Sequence, residues 1–545
     1  MSRAFSSSYV DGESAARAFL PLDFRSAADR AARARQAAAR AVSPELIAVL
    51  RAQAAALPPS GARDANLAAL AAGGAAAVVT GQQVGLFLGP LYSFYKAASA
   101  IAIARTLEAE TGVRCVPLFW LQTEDHDFAE IATATVAGAD GQPRRFALPE
   151  SPGEARVSVA HRCLPGEVTT LLEAVESALG SSPASAETLA LLRAHYQPGR
   201  PLAGAFGGLM AALFADEGLL VLDPRVAPVA RLAAPIYREA IVASAEIERR
   251  MGERGAALAA AGFDEQIPLR PGCALVFGHR DVAAGPRYRL ERPAAPAGPW
   301  RLAGADHAMP EQEIAQALGH DPLRFSTSAL LRPIVQDTLL PTAAYVGGLA
   351  EISYFAQVGP LYDHFRLPLP LVIPRARFRC LDAPTRRRLA EIGLQADDVA
   401  RPTAELLPRL PGARPAALPS ARELQARVAS EVAPAVERIV AAAAAIDPSD
   451  RNLVRAAART RLSVAHALTR LTARYARKLA EHDGTALTRL ARVQAALRPD
   501  GVPQERAYSW PSLAGRLGPT ALKRLVLDRL ATVGPFTTAL QDLEP

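Results

Sequence analysis

A strand, a glycine-rich loop, a helix and a second strand follow one another in the first quarter of the chain, and this order constrains the fold most. Residues 75–80 (AAAVVT) are apolar, and a helical pattern runs from Pro90 to Gly112. Residues 114–122 (RCVPLFWLQ) are continuously apolar, as expected of a strand buried on both faces. Such a unit pairs its strands in parallel through a right-handed crossover. The sequence therefore predicts an α/β fold with a parallel-sheet core.

Size and charge limit the class of protein. The chain has 545 residues, half of them apolar, so several domains are expected. A net charge of +7 suits either a nucleic-acid partner or an anionic substrate. Since no basic residues cluster in a long run, we predict no nucleic-acid partner. The N-terminus lacks the apolar core of a signal peptide, no apolar run could span a bilayer, and the four cysteines are widely spaced. These features predict a cytoplasmic protein without a membrane segment.

The glycine-rich loop lies in VVTGQQVGLFLGPLYSFYK, residues 78–96. It joins a strand to a helix, which is where open parallel sheets bind ligands. Its glycine spacing fits neither G-x-G-x-x-G nor a Walker A loop. We expect backbone N–H groups at the helix start to hold an anion, because glycines permit close approach. The alternative is that the tyrosines simply pack and the lysine is solvated. The candidate residues here are Thr80, Gly81, Gln82, Gln83, Gly85, Gly89, Tyr92 and Lys96.

An acidic segment containing one histidine follows the second strand, in QTEDHDF (residues 122–128). The carboxyl ends of parallel strands lie side by side, so this segment should face the glycine loop. Glu124, Asp125 and Asp127 surround His126, and such carboxylates can orient an imidazole and raise its pKa, or bind an ammonium or a metal. No second histidine stands at motif spacing, and we predict no metal. The alternative for Asp127 is a helix cap.

A second strand–loop–helix pattern occurs in RPIVQDTLLPTAAYVGGLAEISYF, residues 332–355. Polar residues follow an apolar run there, and two glycines precede a helix whose first turn carries an acid. Arg375 follows the next apolar strand and is a candidate for holding a carboxylate through two hydrogen bonds. Simple helix capping is the alternative. The candidates in this segment are Gln336, Asp337, Tyr345, Gly347, Gly348 and Glu351.

Residues 385–500 have a helical pattern of a different kind. Apolar residues recur at heptad-like spacing between charged flanks, which predicts two long antiparallel helices joined near residues 446–452. A structural or dimerising role is expected for this arm. The predicted seam in the second helix comprises Val464, Leu468, Leu471, Tyr475 and Leu479.

The glycine loop, FWLQTEDHDFAEI and LLRPIVQDTLLPTAAYVGGLAEISYFAQ closely resemble motifs of the bacillithiol-synthesis cysteine-adding enzymes (BshC), and PLVIPRARF and PDGVPQERAYSW extend the match. The resemblance implies a Rossmann-like core interrupted by two connecting segments and followed by a coiled-coil arm that dimerises. It implies a core in residues 1–149, 201–239 and 321–384, connecting segments at 150–200 and 240–320, an arm at 385–500 and a tail at 501–545 that packs on the core.

The resemblance also implies a reaction, the joining of L-cysteine to glucosaminyl-malate in the last step of bacillithiol synthesis. A carboxylate does not condense with an amine unaided, so we expect activation, most simply by a nucleotide such as ATP. We expect His126 to take a proton from the amine, and Asp125, Asp127 and Lys96 to assist; the other candidates would bind substrate or nucleotide. Two alternatives stay open: an ATP-dependent ligase or nucleotidyltransferase with other substrates, and a non-enzymatic coiled-coil scaffold.

Overall fold

The structure is a computed structural model that describes residues 4–150, 153–293, 295, 298–410, 418–482 and 484–545. The chain divides into two compact units. The first comprises Met1–Ala139, Arg144–Phe378 and Tyr508–Leu543, and the second Asp140–Pro143, Arg379–Ala507 and Glu544–Pro545. The C-terminal tail thus belongs mostly to the first unit.

The strands are numbered in chain order. They are β1 (Ala76–Gln82), β2 (Cys115–Leu121), β3 (Thr133–Ala137), β4 (Pro143–Ala147), β5 (Leu220–Leu222), β6 (Cys273–His279), β7 (Arg287–Glu291), β8 (Trp300–Leu302), β9 (Ala308–Met309), β10 (Phe325–Thr327), β11 (Thr342–Gly347), β12 (Leu371–Pro374), β13 (Arg377–Cys380) and β14 (Leu540–Leu543).

Five strands form a parallel sheet at the centre of the first unit, in the order β12-β11-β1-β2-β5. Each neighbouring pair is parallel, and Thr80 of β1 lies opposite Val346 on one side and Phe119 on the other. β1 and β2 are buried along nearly their whole length, which explains their continuous apolar sequence. The predicted parallel core is confirmed.

A second, antiparallel sheet has the strand order β10-β6-β7-β8-β9. The sequence predicts only short strands in this stretch. β3 and β4 form a separate two-stranded sheet, which agrees with the hairpin predicted after the acidic segment.

Helices cover the parallel sheet of the first unit. Three helices near the N-terminus begin at serines whose side chains accept a backbone N–H of the first turn. The helices of this unit are Phe5–Val10, Ser14–Arg17, Ala27–Ala38, Pro44–Ala55, Gly61–Ala72, Leu91–Thr111, Phe128–Ile131, Val168–Leu179, Pro183–His195, Leu202–Leu213, Ala227–Val242, Ser244–Ala260, Glu311–His320, Arg332–Leu339, Leu349–Phe355, Gly359–His364, Pro511–Leu517 and Pro519–Val533, with single 3-10 turns at Leu86–Leu88, Val159–His161 and Pro322–Arg324.

The helix Leu91–Thr111 is the crossover between β1 and β2. Pro90 caps its start, where no backbone donor is needed. Gly112 ends it at φ 69°, a left-handed conformation that favours glycine, and donates its N–H to the Glu108 carbonyl. Most of the helix is buried, so it fixes the glycine loop against the sheet.

The second unit is mainly helical. Its helices are Ala383–Glu391, Thr403–Leu406, Ala421–Arg427, Ala433–Ala445, Arg451–His482, Gly484–Leu497 and Gln504–Ala507, with a π turn at Val428–Val432 and 3-10 turns at Ala396–Ala400, Leu407–Arg409 and Pro499–Gly501. Ala433–Ala445 packs against Arg451–His482, as the predicted antiparallel pair requires. Within the chain, Leu471 of the predicted seam is 59% exposed, whereas the neighbouring Thr472 is buried.

Candidate functional site

The glycines of the loop allow parts of the chain to approach one another. A Cβ on Gly81 would lie 2.8 Å from the Trp120 carbonyl oxygen, and one on Gly85 would lie 2.8 Å from the Cα of Gly89. Both distances are shorter than real Cβ contacts allow. These glycines therefore permit close packing of β1 on β2 and of the loop on itself.

Several backbone donors of the same loop are used within the protein. Leu88 donates its N–H to the Tyr196 hydroxyl at 2.9 Å, Gly89 donates to the Leu86 carbonyl, and Leu91 donates to the Tyr508 carbonyl at 2.8 Å. These N–H groups are not available to an anion. The anion site that we predict in this loop stays a prediction.

Lys96 lies beneath the loop with a 1% exposed surface. Its ammonium donates to the Gly81 carbonyl at 2.8 Å and to Gln82 Oε1 at 2.9 Å, and it forms an ion pair with Glu351. Burial lowers the pKa of Lys96, although Glu351 opposes this effect. Lys96 thus ties the end of β1 to Glu351, which follows β11. Its predicted catalytic role stays a prediction.

The candidates after β11 complete the same buried network. Glu351 accepts hydrogen bonds from the Tyr345 hydroxyl at 2.5 Å and from the Gly348 N–H at 2.8 Å. Burial opposes its ionisation, yet Lys96 and these hydrogen bonds hold the pKa of Glu351 below its usual value. A Cβ on Gly347 would approach the Tyr345 ring. This group supports the strand ends.

Thr80 and the remaining residues of this edge are also packed. The Thr80 hydroxyl donates to the Val346 carbonyl at 2.7 Å. The guanidinium of Arg375 lies 5.4 Å from the centre of the Tyr92 ring, and Gln82 Nε2 donates to the Tyr92 hydroxyl at 3.4 Å. These contacts keep Gln82 and Tyr92 half-buried at the carboxyl edge of the sheet.

Gln336 and Asp337 lie on the helix Arg332–Leu339 and not at a strand end, which corrects the predicted local structure. Both side chains are buried, and Gln336 donates to Asp337 Oδ1 at 2.8 Å. Gln336 also accepts from Arg332, and Asp337 accepts from the Tyr362 hydroxyl. These contacts fix both side chains within the protein, and the substrate contacts that the sequence predicts for them stay a prediction.

The acidic segment after β2 behaves differently, because its side chains face the second sheet. Glu124 accepts a hydrogen bond from the Tyr237 hydroxyl at 3.3 Å and others from the backbone and hydroxyl of Thr327 in β10. The Glu124 carboxylate thus joins the end of the parallel sheet to the antiparallel sheet.

Asp125 and His126 form the centre of the candidate site. Gln83 Nε2 donates to Asp125 Oδ2 at 2.9 Å, which brings the loop and the acidic segment together as predicted. From β7, Arg287 Nη1 lies 3.4 Å from Asp125 Oδ1 and 3.3 Å from His126 Nδ1. Other atoms of Arg287 are fixed by Ser326 and by the Thr327 carbonyl. Four side chains from three parts of the chain therefore meet here.

Arg287 decides the state of the imidazole. A guanidinium is always a donor, so Nδ1 of His126 accepts and the ring proton resides on Nε2. Burial and then Arg287 lower the pKa of His126, against the opposing effect of Asp125. The predicted rise of this pKa is therefore wrong, because the sequence shows the neighbouring acids but not the arginine. His126 is neutral at pH 7 and presents an Nε2–H donor.

Asp127 caps the short helix Phe128–Ile131 by accepting the Glu130 N–H at 3.3 Å, which is the alternative that its position in the sequence offers. Its side chain is otherwise exposed beside Asp125 and His126.

A cavity of about 260 Å³ opens beside this centre, between the carboxyl end of β2 and the second sheet. Among the described residues, Lys96, Gln336 and Asp337 are not part of its wall. The wall comprises Trp120, Gln122, Glu124, Asp125, His126, Ser244, Ile247, Glu248, Ile267, Pro268, Leu269, Arg270, Cys273, Ala274, Leu275, Phe277, Arg287, Arg289, Thr327, Ser328, Ala329, Leu330 and Arg332.

Sequence reasoning missed the arginines of this wall. Arg287 and Arg289 alternate along β7, so both project from one face of the second sheet. Arg287 lies 3.7 Å and Arg289 5.2 Å from the centre of the Phe277 ring. The sequence R-Y-R in a short strand was a signal for this face, but only the packing of the two sheets shows that the face meets His126.

The arrangement offers three chemical functions in one place. Asp125 supplies a carboxylate, His126 supplies a neutral donor, and several arginines supply positive charge beside an apolar wall. Such a site can bind an amine near an anion and donate a hydrogen bond to an oxygen that gains negative charge. No helix in the described part of the chain is long and apolar enough to span a membrane.

Comparison with known proteins gives a consistent picture. Residues 1–376 match the family model for the bacillithiol biosynthesis BshC N-terminal Rossmann-like domain, and residues 379–537 match that for its C-terminal coiled-coil domain. Proteins named "Putative cysteine ligase BshC" from Koribacter versatilis and Solibacter usitatus are both 32% identical to this chain. The alignment with the Koribacter protein covers 83% of this chain and 82% of that protein. The alignment with the Solibacter protein covers 87% of this chain and 86% of that protein. The similarly named protein from Salinibacter ruber is 31% identical over 82% of this chain and 80% of its own length.

Proposed function

We propose a function from one premise: the chain belongs to the BshC family of bacillithiol biosynthesis proteins. The proposed function is a cysteine ligase that joins the carboxyl group of L-cysteine to the amine of glucosaminyl-malate. The names of the relatives give the class of reaction and the amino acid. The geometry of the cavity supports the choice of site.

One observation carries the proposal: Asp125, His126 and Arg287 lie together at the carboxyl end of the parallel sheet and line the cavity. Gln83 does not line the cavity, but its side chain donates a hydrogen bond to Asp125 and so holds that carboxylate in place. Ligands of open parallel sheets bind at this end. The group combines a carboxylate that attracts an ammonium with a donor that attracts an oxygen. A coiled-coil scaffold would have no need of either.

The chemistry requires that a nitrogen–carbon bond forms while a carbon–oxygen bond of the cysteine carboxyl breaks. The amine loses a proton, and the leaving oxygen departs with an activating group, which a nucleotide supplies when bound. Within the cavity, Asp125 attracts the amine and orients its nitrogen toward the carboxyl carbon. Its partially exposed carboxylate also accepts the proton that the amine sheds.

His126 acts as a neutral donor in this scheme and not as the base that the sequence predicts. Arg287 occupies Nδ1, so only the Nε2–H group is free to point at a bound ligand. A hydrogen bond from this group stabilises the negative charge that develops on the carboxyl oxygen during attack. Loss of one such donor typically lowers kcat by about 10²–10³-fold.

The test uses purified protein with L-cysteine, glucosaminyl-malate and ATP, and mass spectrometry to detect the amide. We expect product from the parent protein and at least a 100-fold lower kcat from His126→Ala. His466→Ala is the matched control, since His466 is exposed on the helix Arg451–His482, in the other unit. Absence of product with every nucleotide tried, from protein that is folded, would refute the proposed reaction.

We also propose that the arm forms a homodimer and that the protein works in the cytoplasm. In the described part of the arm, four large apolar residues are more than half exposed: Ile439 at 70%, Ile446 at 81%, Leu462 at 56% and Leu471 at 59%. A second copy of the chain would cover them. Light scattering should give twice the chain mass for the parent and the single mass for Ile439→Glu/Leu462→Glu; a parent that is monomeric at micromolar concentration contradicts the dimer.

A further inference from the structure

The cavity wall carries more positive charge than its own acids neutralise. Glu248 pairs with Arg292 and accepts the Gly272 N–H, so its charge is already used. Glu124 is occupied by Tyr237 and Thr327. Neither acid pairs with Arg270 or Arg289, and Asp125, the third acid of the wall, pairs with Arg287.

Two of the four arginines in the wall are already engaged. Arg287 contacts Asp125, Ser326 and Thr327, and Arg332 donates to Tyr354 and Gln336. Both are buried and fixed by these contacts. Their role is to hold the two sheets and the acidic segment in place.

Arg270 and Arg289 are the exceptions. Among the described residues, neither guanidinium has a hydrogen bond or an ion pair, and both side chains are exposed where they line the cavity. The two charges are close enough that Arg270 contributes to lowering the pKa of Arg289, after burial. The charge of Asp125 opposes this effect, but Asp125 itself contacts Gln83 and Arg287. Two guanidinium groups that line one cavity without an ion pair of their own favour binding of an anion.

We propose that Arg270 and Arg289 form a subsite for a dicarboxylate, and that this subsite recognises the malyl group of the amine substrate. A guanidinium binds a carboxylate through two parallel hydrogen bonds, so two guanidinium groups match two carboxylates. Leu269 and Leu275 supply apolar wall for the short hydrocarbon between those carboxylates. This inference rests on the proposed function for the identity of the ligand.

The size of the cavity suits a small ligand or the malyl part of a larger one, and does not by itself distinguish glucosaminyl-malate from a nucleotide. Pockets that enclose drug-sized molecules measure about 300–1,000 Å³, and this cavity measures about 260 Å³. The phosphates of a nucleotide are the other anions that two arginines would attract. The experiment therefore includes a nucleotide as a separate arm.

Binding is measured by isothermal titration calorimetry with glucosaminyl-malate alone, without cysteine or nucleotide, so that no catalysis is needed. We expect Arg289→Gln and Arg270→Gln each to raise Kd about tenfold or more, because each removes a charge-assisted pair. Arg289→Lys should recover part of the affinity. Arg301→Gln is the control, since Arg301 is exposed on β8 of the same sheet and does not line the cavity.

A second comparison tests specificity. The lactyl analogue of the substrate has one carboxylate fewer, and the parent protein should bind it more weakly than the malyl compound. In the Arg270→Gln/Arg289→Gln variant this preference should disappear, whereas ADP should bind equally to the variant and the parent. Unchanged Kd values for the malyl compound, or a loss confined to ADP, would overturn the assignment.

The outcomes separate this inference from the proposed function. Arginine-dependent binding by a protein that forms no amide supports the subsite and contradicts the ligase reaction. Amide formation with an unchanged KM for glucosaminyl-malate in both arginine variants supports the reaction and contradicts the subsite.

Discussion

Replacing Arg287 by glutamine should raise the pKa of His126. In the parent, Arg287 Nη1 lies 3.3 Å from His126 Nδ1, so a protonated imidazole would face a positive charge at contact distance. Glutamine removes this charge, and because its side chain is two bonds shorter it does not keep the contact with Nδ1. Asp125, whose charge favours the protonated ring, remains in place.

The expected size follows from the distance. Two unit charges 3.3 Å apart interact by about 1.3 kcal/mol in water and by about 5 kcal/mol at an effective dielectric constant of 20. The His126 side chain is 32% exposed, so the lower figure applies. Since about 1.4 kcal/mol corresponds to one pKa unit, the pKa of His126 should rise by about one unit.

The assay is an NMR titration of the histidine ring signals between pH 4 and 8. His126→Gln identifies the signal among those of the nine histidines. Arg287→Lys retains the charge and should leave the pKa low. The nitrogen shifts of the parent should show the proton on Nε2. A parent ring protonated on Nδ1, or an unchanged pKa in Arg287→Gln, refutes the reasoning.

Three further predictions concern stability. Lys96→Met should lower the free energy of unfolding by about 3–5 kcal/mol, because it leaves the charge of Glu351 buried without its partner. In urea titrations, the double variant Lys96→Met/Glu351→Gln should recover part of this loss. Gly85→Ala should cost about 1–3 kcal/mol through the clash within the loop, whereas Gly61→Ala, in open space, should be nearly neutral. The pKa of buried His279 is lowered to about 3, by burial and then by Arg225, so its neutral form is the stable one. In the unfolded chain this histidine binds a proton near pH 6.5, so the free energy of unfolding should fall as the pH is lowered from 6.5 towards 3. In urea titrations at several pH values, His279→Gln should make the free energy of unfolding depend less steeply on pH.

Local sequence patterns predicted the elements of the core and their pairing. The continuous apolar runs at β1 and β2 and the stop at Gly112 were enough for the parallel unit, because these signals are local. The same reasoning placed the acidic segment opposite the glycine loop, since neighbouring strand ends must meet, and the hydrogen bond from Gln83 to Asp125 agrees with it.

The rest depended on contacts between distant parts of the chain. Arg287 lies more than 150 residues from His126, and no local pattern shows that β7 packs against the acidic segment. The pKa of the imidazole was therefore predicted in the wrong direction. Leu471 gives a second example, because heptad spacing does not show that Thr472 and not Leu471 is buried within the chain.

A crystal structure with bound glucosaminyl-malate tests most directly whether the cavity beside Asp125 and His126 is the ligation site. The account predicts the malyl carboxylates at Arg270 and Arg289, with the sugar amine within hydrogen-bond distance of Asp125. A ligand bound at the glycine loop or elsewhere on the protein, with this cavity empty, would contradict it.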